Sequence, residues 1–183
     1  MTFRLSALLF GAILLLSITA AAADAPTVAK LYDNPIADLE HEMVPLAEAM
    51  PAEKFDFAPT AGSFQGVRTF AQQVKHVAAV NFLVAAAALG EKPPVDTGGE
   101  KGPDSVKTKD QIVQFLKDSF AYAHKAALTL TPARQMELVK SPFGNSQVAR
   151  GYLVSIVVWH SYDHYGQMAV YARMNNIIPP ASR

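Results

Sequence analysis

Two histidines stand four residues apart in Trp159-His160-Ser161-Tyr162-Asp163-His164-Tyr165-Gly166-Gln167. On a helix, residues i and i+4 share a face, one turn apart. Leu153, Ile156, Val157, Met168 and Tyr171 fall in line with the pair, so this face is mostly apolar and is expected to point into a core. Two imidazoles in a core both need polar partners, because burying an unpaired polar group costs roughly 2–7 kcal/mol. One divalent metal ion satisfies both, and His76, from an earlier helical segment, is the candidate third ligand. Imidazole suits Zn, Ni, Cu and Fe(II), with bonds of roughly 2.0–2.1 Å. The expected ion is zinc or nickel first, then iron or manganese. Three protein ligands leave positions open for water or substrate, as catalytic sites do, and such an ion acidifies water or polarises a thiol or carbonyl. Asp163 and Gln167 neighbour the pair and are candidates to hold the ligating tautomer from behind. The pattern alone is also that of hydrogen-bonded core histidines, since H-x-x-x-H is weakly specific.

Other chemistry-bearing residues give less. His41 precedes Glu42, but the H-E-x-x-H metalloprotease pattern fails because Pro45 stands where its second histidine belongs. His124 lies among charged and small residues and is expected on an exposed face. Gly144-Asn145-Ser146-Gln147-Val148 begins like a nucleophile elbow, ends in Val148 instead of Gly, and has no strand before it. Tyr152, Tyr162, Tyr165 and Tyr171 crowd the last helix with Trp159 and are read as packing, with one tyrosine near a metal able to serve as a proton donor.

The elements that must position these residues read as helices. From Thr27 to Ala49, Val28, Leu31, Tyr32, Ile36, Leu39, Met43, Leu46 and Ala47 recur at helical steps, while Pro35 and Pro45 predict a kink or a break. A second helix is predicted from an N-cap at Ser63 to about Leu89, with Gly90 as its stop. The segment 91–107 is rich in Pro, Gly and charge and reads as a long surface loop, either a functional lid or a mobile connection. Thr108 with Gln111 forms a capping-box signature that opens a third helix, to about Leu130. Thr131-Pro132 begins a short turn through Val139, Ser141 to Asn145 connects, and the last helix runs from about Gln147 to Asn175. No strand-like alternation is long enough to build a sheet. The fold class is therefore all-α, a four-helix bundle.

Composition bounds the rest. The chain has 183 residues, half of them hydrophobic, enough for one globular domain. Sixteen basic residues balance sixteen acidic ones, so the charge footprint of a nucleic-acid binder is missing. There is no cysteine, which excludes disulfides, thiolate metal sites, cysteine nucleophiles and iron–sulfur clusters. Residues 1–23 read as a signal peptide: Arg4, an apolar run from Leu5 to Ala20, then Ala21-Ala22-Ala23 before Asp24. That run is short for a membrane span, so cleavage is expected with no stable membrane anchor afterwards, leaving residues 24–183 as the mature domain. Export to a bacterial periplasm is the expected destination.

Three blocks carry a family resemblance: Ala49-Met50-Pro51-Ala52-Glu53-Lys54-Phe55-Asp56 leading to Pro59, Thr69-Phe70-Ala71-Gln72-Gln73-Val74-Lys75-His76, and His160 to Gln167 with the ending Arg173-Met174-Asn175 to Pro179-Pro180. Over essentially the whole mature chain the sequence resembles the DinB-like (YfiT-type) metalloenzyme family, four-helix bundles with a three-histidine metal site. The resemblance implies one ligand from the second helix and two from the fourth, which maps onto His76, His160 and His164. It implies metal-dependent hydrolases or transferases that use low-molecular-weight thiols, acting on a small-molecule substrate, and homodimers. An export signal departs from the cytosolic thiol transferases, because a periplasm is poor in reduced thiols. Two readings stand: an enzyme whose His-held divalent metal activates water or a thiol for hydrolysis or group transfer, and a non-catalytic exported metal-binding helical bundle.

Overall fold

The structure is a computed structural model that describes residues 25–183; the signal-peptide reading of residues 1–23 lies outside the described residues. Four helices, α1 (Val28–Ala49), α2 (Phe70–Leu89), α3 (Lys109–Leu128) and α4 (Arg150–Met174), build the domain. Helices α3 and α4 each pack against both α1 and α2, so α1 and α2 stand on opposite corners of the bundle. This arrangement makes α2 and α4 neighbours, which His76 requires if it is to meet the α4 histidines. Among the described helices, none is long and apolar enough to cross a membrane.

The helix boundaries follow local chemistry more closely than the apolar periodicity suggests. Helix α2 begins at Phe70 and not after Ser63. Thr69 Oγ1 accepts from Gln72 N at 3.3 Å while Gln72 Oε1 accepts from Thr69 N at 2.9 Å, and this reciprocal pair fixes the first turn. Gly66, at φ +80°, keeps the preceding residues out of the helix. The same device opens α3 at Thr108 and Gln111, as the sequence predicts, and α3 ends at Leu128. Helix α1 runs unbroken through Pro35 and Pro45. Each proline costs a helix roughly 3 kcal/mol, but Ile36, Leu39, Met43, Leu46 and Ala47 are fully buried around them, and their packing holds the helix.

Fifteen of the twenty residues of α2 are buried, so this helix is covered on all sides. Its alanines allow close approach, and beneath the histidines Asn81 links three helices. Asn81 Nδ2 donates to Ser119 Oγ of α3 (3.4 Å), and Ser161 Oγ of α4 donates to Asn81 Oδ1 (3.3 Å).

Between α3 and α4 the fold departs from an all-helical reading. Arg134–Met136 makes a single 3-10 turn, and two three-residue strands follow, β1 (Leu138–Lys140) and β2 (Gln147–Ala149). They pair antiparallel in the register Leu138–Ala149, Val139–Val148 and Lys140–Gln147. The expected Ser141–Asn145 connector is thus the turn of a hairpin, and α4 starts at Arg150 instead of Gln147. Arg150 ties the hairpin to the bundle: its guanidinium holds Glu137 at 2.9 Å and donates to the Ala88 carbonyl at the end of α2.

Candidate metal centre

His76 comes from the middle of α2, and His160 and His164 from successive turns of α4. The three meet between the two helices. Each offers one ring nitrogen to a common point, with these atoms all within 4.8 Å of one another, and the ring centroids are 4.6–5.0 Å apart. His76 and His164 are buried, and His160 is partly open.

Hydrogen bonds on the far side of two rings settle which nitrogen faces inward. His76 Nδ1 donates to the backbone carbonyl of Glu100 (2.5 Å), which can only accept, so Nε2 carries the free lone pair. His164 Nδ1 donates to Gln73 Oε1. The direction of this second bond is set from its outer end. Asp163 can only accept, so Gln167 Nε2 donates to Asp163 Oδ2 (3.0 Å), Gln167 Oε1 accepts from Gln73 Nε2 (2.9 Å), and Gln73 Oε1 is left for the imidazole.

The Nε2 atoms of His76 and His160 are 3.1 Å apart. Two ligands on one ion at bonds of roughly 2.0–2.1 Å are separated by roughly 3.0–3.4 Å, so the pair has the spacing of co-ligands. With His76 Nε2 bare, a metal-free pair is satisfied only if His160 Nε2 donates to it, and then His160 Nδ1, buried and without a partner, is left bare. Electrostatics agree with a cluster of neutral rings. Burial, then the charge of His76, depresses His160 to about 4. Burial followed by His160 and His76 takes His164 to about 3, and burial also lowers His76. Neutral imidazoles are what a cation takes up. The residues therefore fit a divalent metal.

A cavity of about 470 Å³ reaches His160. Val80, Phe143, Val148, Ile156 and Trp159 give it apolar walls; Ser141, Ser146, Tyr152 and Glu100 add polar groups. The hairpin supplies one wall, which is the functional place of the elements that sequence periodicity overlooks.

Asp163 and Gln167 stand behind the site, one step further out than expected. Neither hydrogen-bonds a histidine; they act through Gln73, which is 1% exposed and to which sequence reasoning gives no role. A polar amide three residues before a candidate ligand, on the same face, was the signal. The Glu100 carbonyl had none, since any residue carries a carbonyl. Of the tyrosines, Tyr152 lines the cavity, while Tyr171 donates to the Arg68 carbonyl (3.1 Å). His41 is exposed and apart from the cluster. His124 is not on an exposed face. It is half-buried between α3 and α1, with Nδ1 2.6 Å from Asp33 and Nε2 3.1 Å from Glu40. Its partners come from α1, which the charged and small residues around it on α3 do not reveal.

Among curated proteins none matches the chain. Solved structures do. A DinB-like protein from Bacillus cereus ATCC 10987 superposes with a TM-score of 0.66 over 85% of this chain and 97% of that one, at 14% identity. At that identity the likeness is one of fold, and it matches the bundle described above. The family model of the DinB superfamily spans residues 36–168, from the core of α1 through His76 to the turn of α4 beyond His164, and the chain belongs to that superfamily.

Proposed function

We propose that His76, His160 and His164 hold a divalent metal ion and that the protein is a metal-dependent enzyme activating water or a thiol for hydrolysis or group transfer. The observation that carries this reading is the convergence of three imidazoles, two with their outer N–H committed to fixed acceptors, at the edge of a cavity. A bound divalent cation supplies Lewis acidity, which favours the ionised form of water or a thiol and polarises a carbonyl. The chain's own residues do the rest. Glu100 and Gln73 lock the ligand rings, so no reorganisation is needed on binding. The walls of Val80, Phe143, Val148 and Ile156 exclude water around a bound apolar group. Tyr152 places a phenol in the cavity lining, in position to exchange a proton with a bound substrate. The signal-like residues 1–23 support an exported protein, and in a thiol-poor compartment water is the favoured nucleophile.

A non-catalytic metal-binding bundle would need no cavity at its ligands, and the opening at His160 favours the enzyme. The test is elemental mass spectrometry of protein purified without affinity-tag nickel, beside a variant carrying His76→Ala, His160→Ala and His164→Ala. Near-stoichiometric zinc, nickel, iron or manganese is expected in the parent and none in the variant. Two empty preparations of equal stability would sink the metal reading.

A further inference from the structure

A second cavity, of about 350 Å³ and open to solvent, is lined by Arg68, Gln72, Lys75, Lys101, Gly102 and Asp104. It places three cations against one carboxylate, and none of the three makes an ion pair among the described residues. The cations come from two elements. Arg68 and Lys75 flank the first turns of α2, and Lys101 comes from the 91–107 loop.

The frame that holds them is fixed. Tyr171 from α4 donates to the Arg68 carbonyl, and the Thr69–Gln72 capping pair follows immediately. Gly102 has φ +79°, and a Cβ there would lie 2.8 Å from both Cβ and Cε of Lys75, so the missing side chain lets the lysine stem lie along the loop. A planar guanidinium fork and two ammonium groups around one hollow are the donor set for an oxyanion, since each forms charge-assisted hydrogen bonds with phosphate or carboxylate oxygens. Three cations outnumber the single carboxylate, Asp104, so the net charge of the lining favours an anionic guest.

We propose that this cavity binds the oxyanion group of a small molecule, a phosphate or a carboxylate, and that the bound anion fastens the loop to α2. Lys75 and Lys101 are the chain neighbours of His76 and Glu100, whose hydrogen bond joins the same two elements. Glu100 lines the cavity at His160 while Lys101 and Gly102 line this one, so the segment 100–102 lies between the two. The proposal does not depend on the metal reading.

Isothermal titration calorimetry tests it on the full chain at low ionic strength, with inorganic phosphate in one arm and succinate in the other and the metal content of every preparation recorded. Saturable binding is expected in at least one arm. It should weaken about tenfold or more in Arg68→Ala and in Lys101→Ala, the loss of a charge-assisted contact, and stay unchanged in Lys117→Ala on α3. Phosphate alone would assign the site to phosphate esters, succinate alone to carboxylic acids, and both to an unselective oxyanion site. Lys101 lies on the exposed loop, so its variant reports even if Arg68→Ala fails to fold. The proposal is overturned by no saturable binding in either arm, by binding that survives Lys101→Ala, as it would if the anion sat on a metal, or by equal weakening in Lys117→Ala.

Discussion

Gln73 is the residue on which the geometry of His164 turns. It is buried, and its amide takes the imidazole N–H on one side while donating to Gln167 on the other. Replacing it with Leu, of similar size, keeps the packing but removes the acceptor. A buried imidazole N–H then goes unpaired at a cost of roughly 1–3 kcal/mol, and the ring is free to present the wrong nitrogen. We expect Gln73→Leu to weaken metal binding about 10- to 100-fold, the usual effect of losing such an outer partner, with helical content unchanged. Gln73→Glu, which keeps an acceptor toward His164, should recover most of that affinity. Competition against a chromogenic chelator measures both, and parental affinity in Gln73→Leu would reduce the amide to a packing role. The histidine spacing was legible in the sequence because i and i+4 fix a face without any tertiary knowledge. The relay was not, because Gln73 becomes a partner of His164 only once α2 and α4 are side by side.

The elements that sequence reading caught are those with local signals. Thr108 and Gln111 announce α3 through their own side chains, and the apolar stripes of α1 and α4 survive as buried faces. It missed where long-range packing or a competing cap decided: α1 shows no break at its prolines, α2 starts at Phe70 behind its Thr69 cap, and the strands of the hairpin, three residues each, are too short to show alternation. Composition does not decide whether the 91–107 loop is a lid or a mobile connection; in the structure it delivers the Glu100 carbonyl to His76. That delivery depends on a tight turn at Gly98, which has φ +58° and where a Cβ would lie 2.4 Å from the Gly102 carbonyl oxygen. Its neighbour Gly99 also has positive φ, +64°, but open space around a Cβ. The two glycines therefore separate backbone strain from collision. Gly99→Ala should lower stability by roughly 1–2 kcal/mol, the cost of a left-handed alanine, and leave metal affinity intact. Gly98→Ala adds the clash, spreads the turn and withdraws the carbonyl, so it should lower both the melting temperature and metal affinity. Equal effects of the two on metal binding would show that the loop does not position His76.

At the scale of the whole molecule, the buried histidines make stability depend on pH with a definite sign. In the unfolded chain imidazoles titrate near 6.5, whereas burial, aided by the charge of neighbouring rings, pushes His160 down to about 4 and His164 to about 3 in the fold, and burial lowers His76 as well. Between these values the unfolded state binds more protons than the folded state, so stability rises with pH there. Acidification from pH 6.5 therefore weakens the metal-free fold progressively, and the loss from these two rings is complete once the pH is below about 3. Asp33 acts in the same direction at lower pH. Burial alone would raise its carboxyl, but hydrogen bonds and charge from His124 and Lys30 outweigh that and hold it below 3.8, so its contribution is present above that pH and fades as the pH falls through its folded value. Urea unfolding of chelator-treated protein between pH 7 and pH 4.5 should show a steady fall in midpoint. The variant with alanine at all three histidine positions should lose most of that slope while keeping the Asp33–His124 contact between α1 and α3. An unchanged slope would mean that other groups set the acid response. A loaded metal should steepen it, because a cation binds the neutral rings and protons must displace it before the bundle opens.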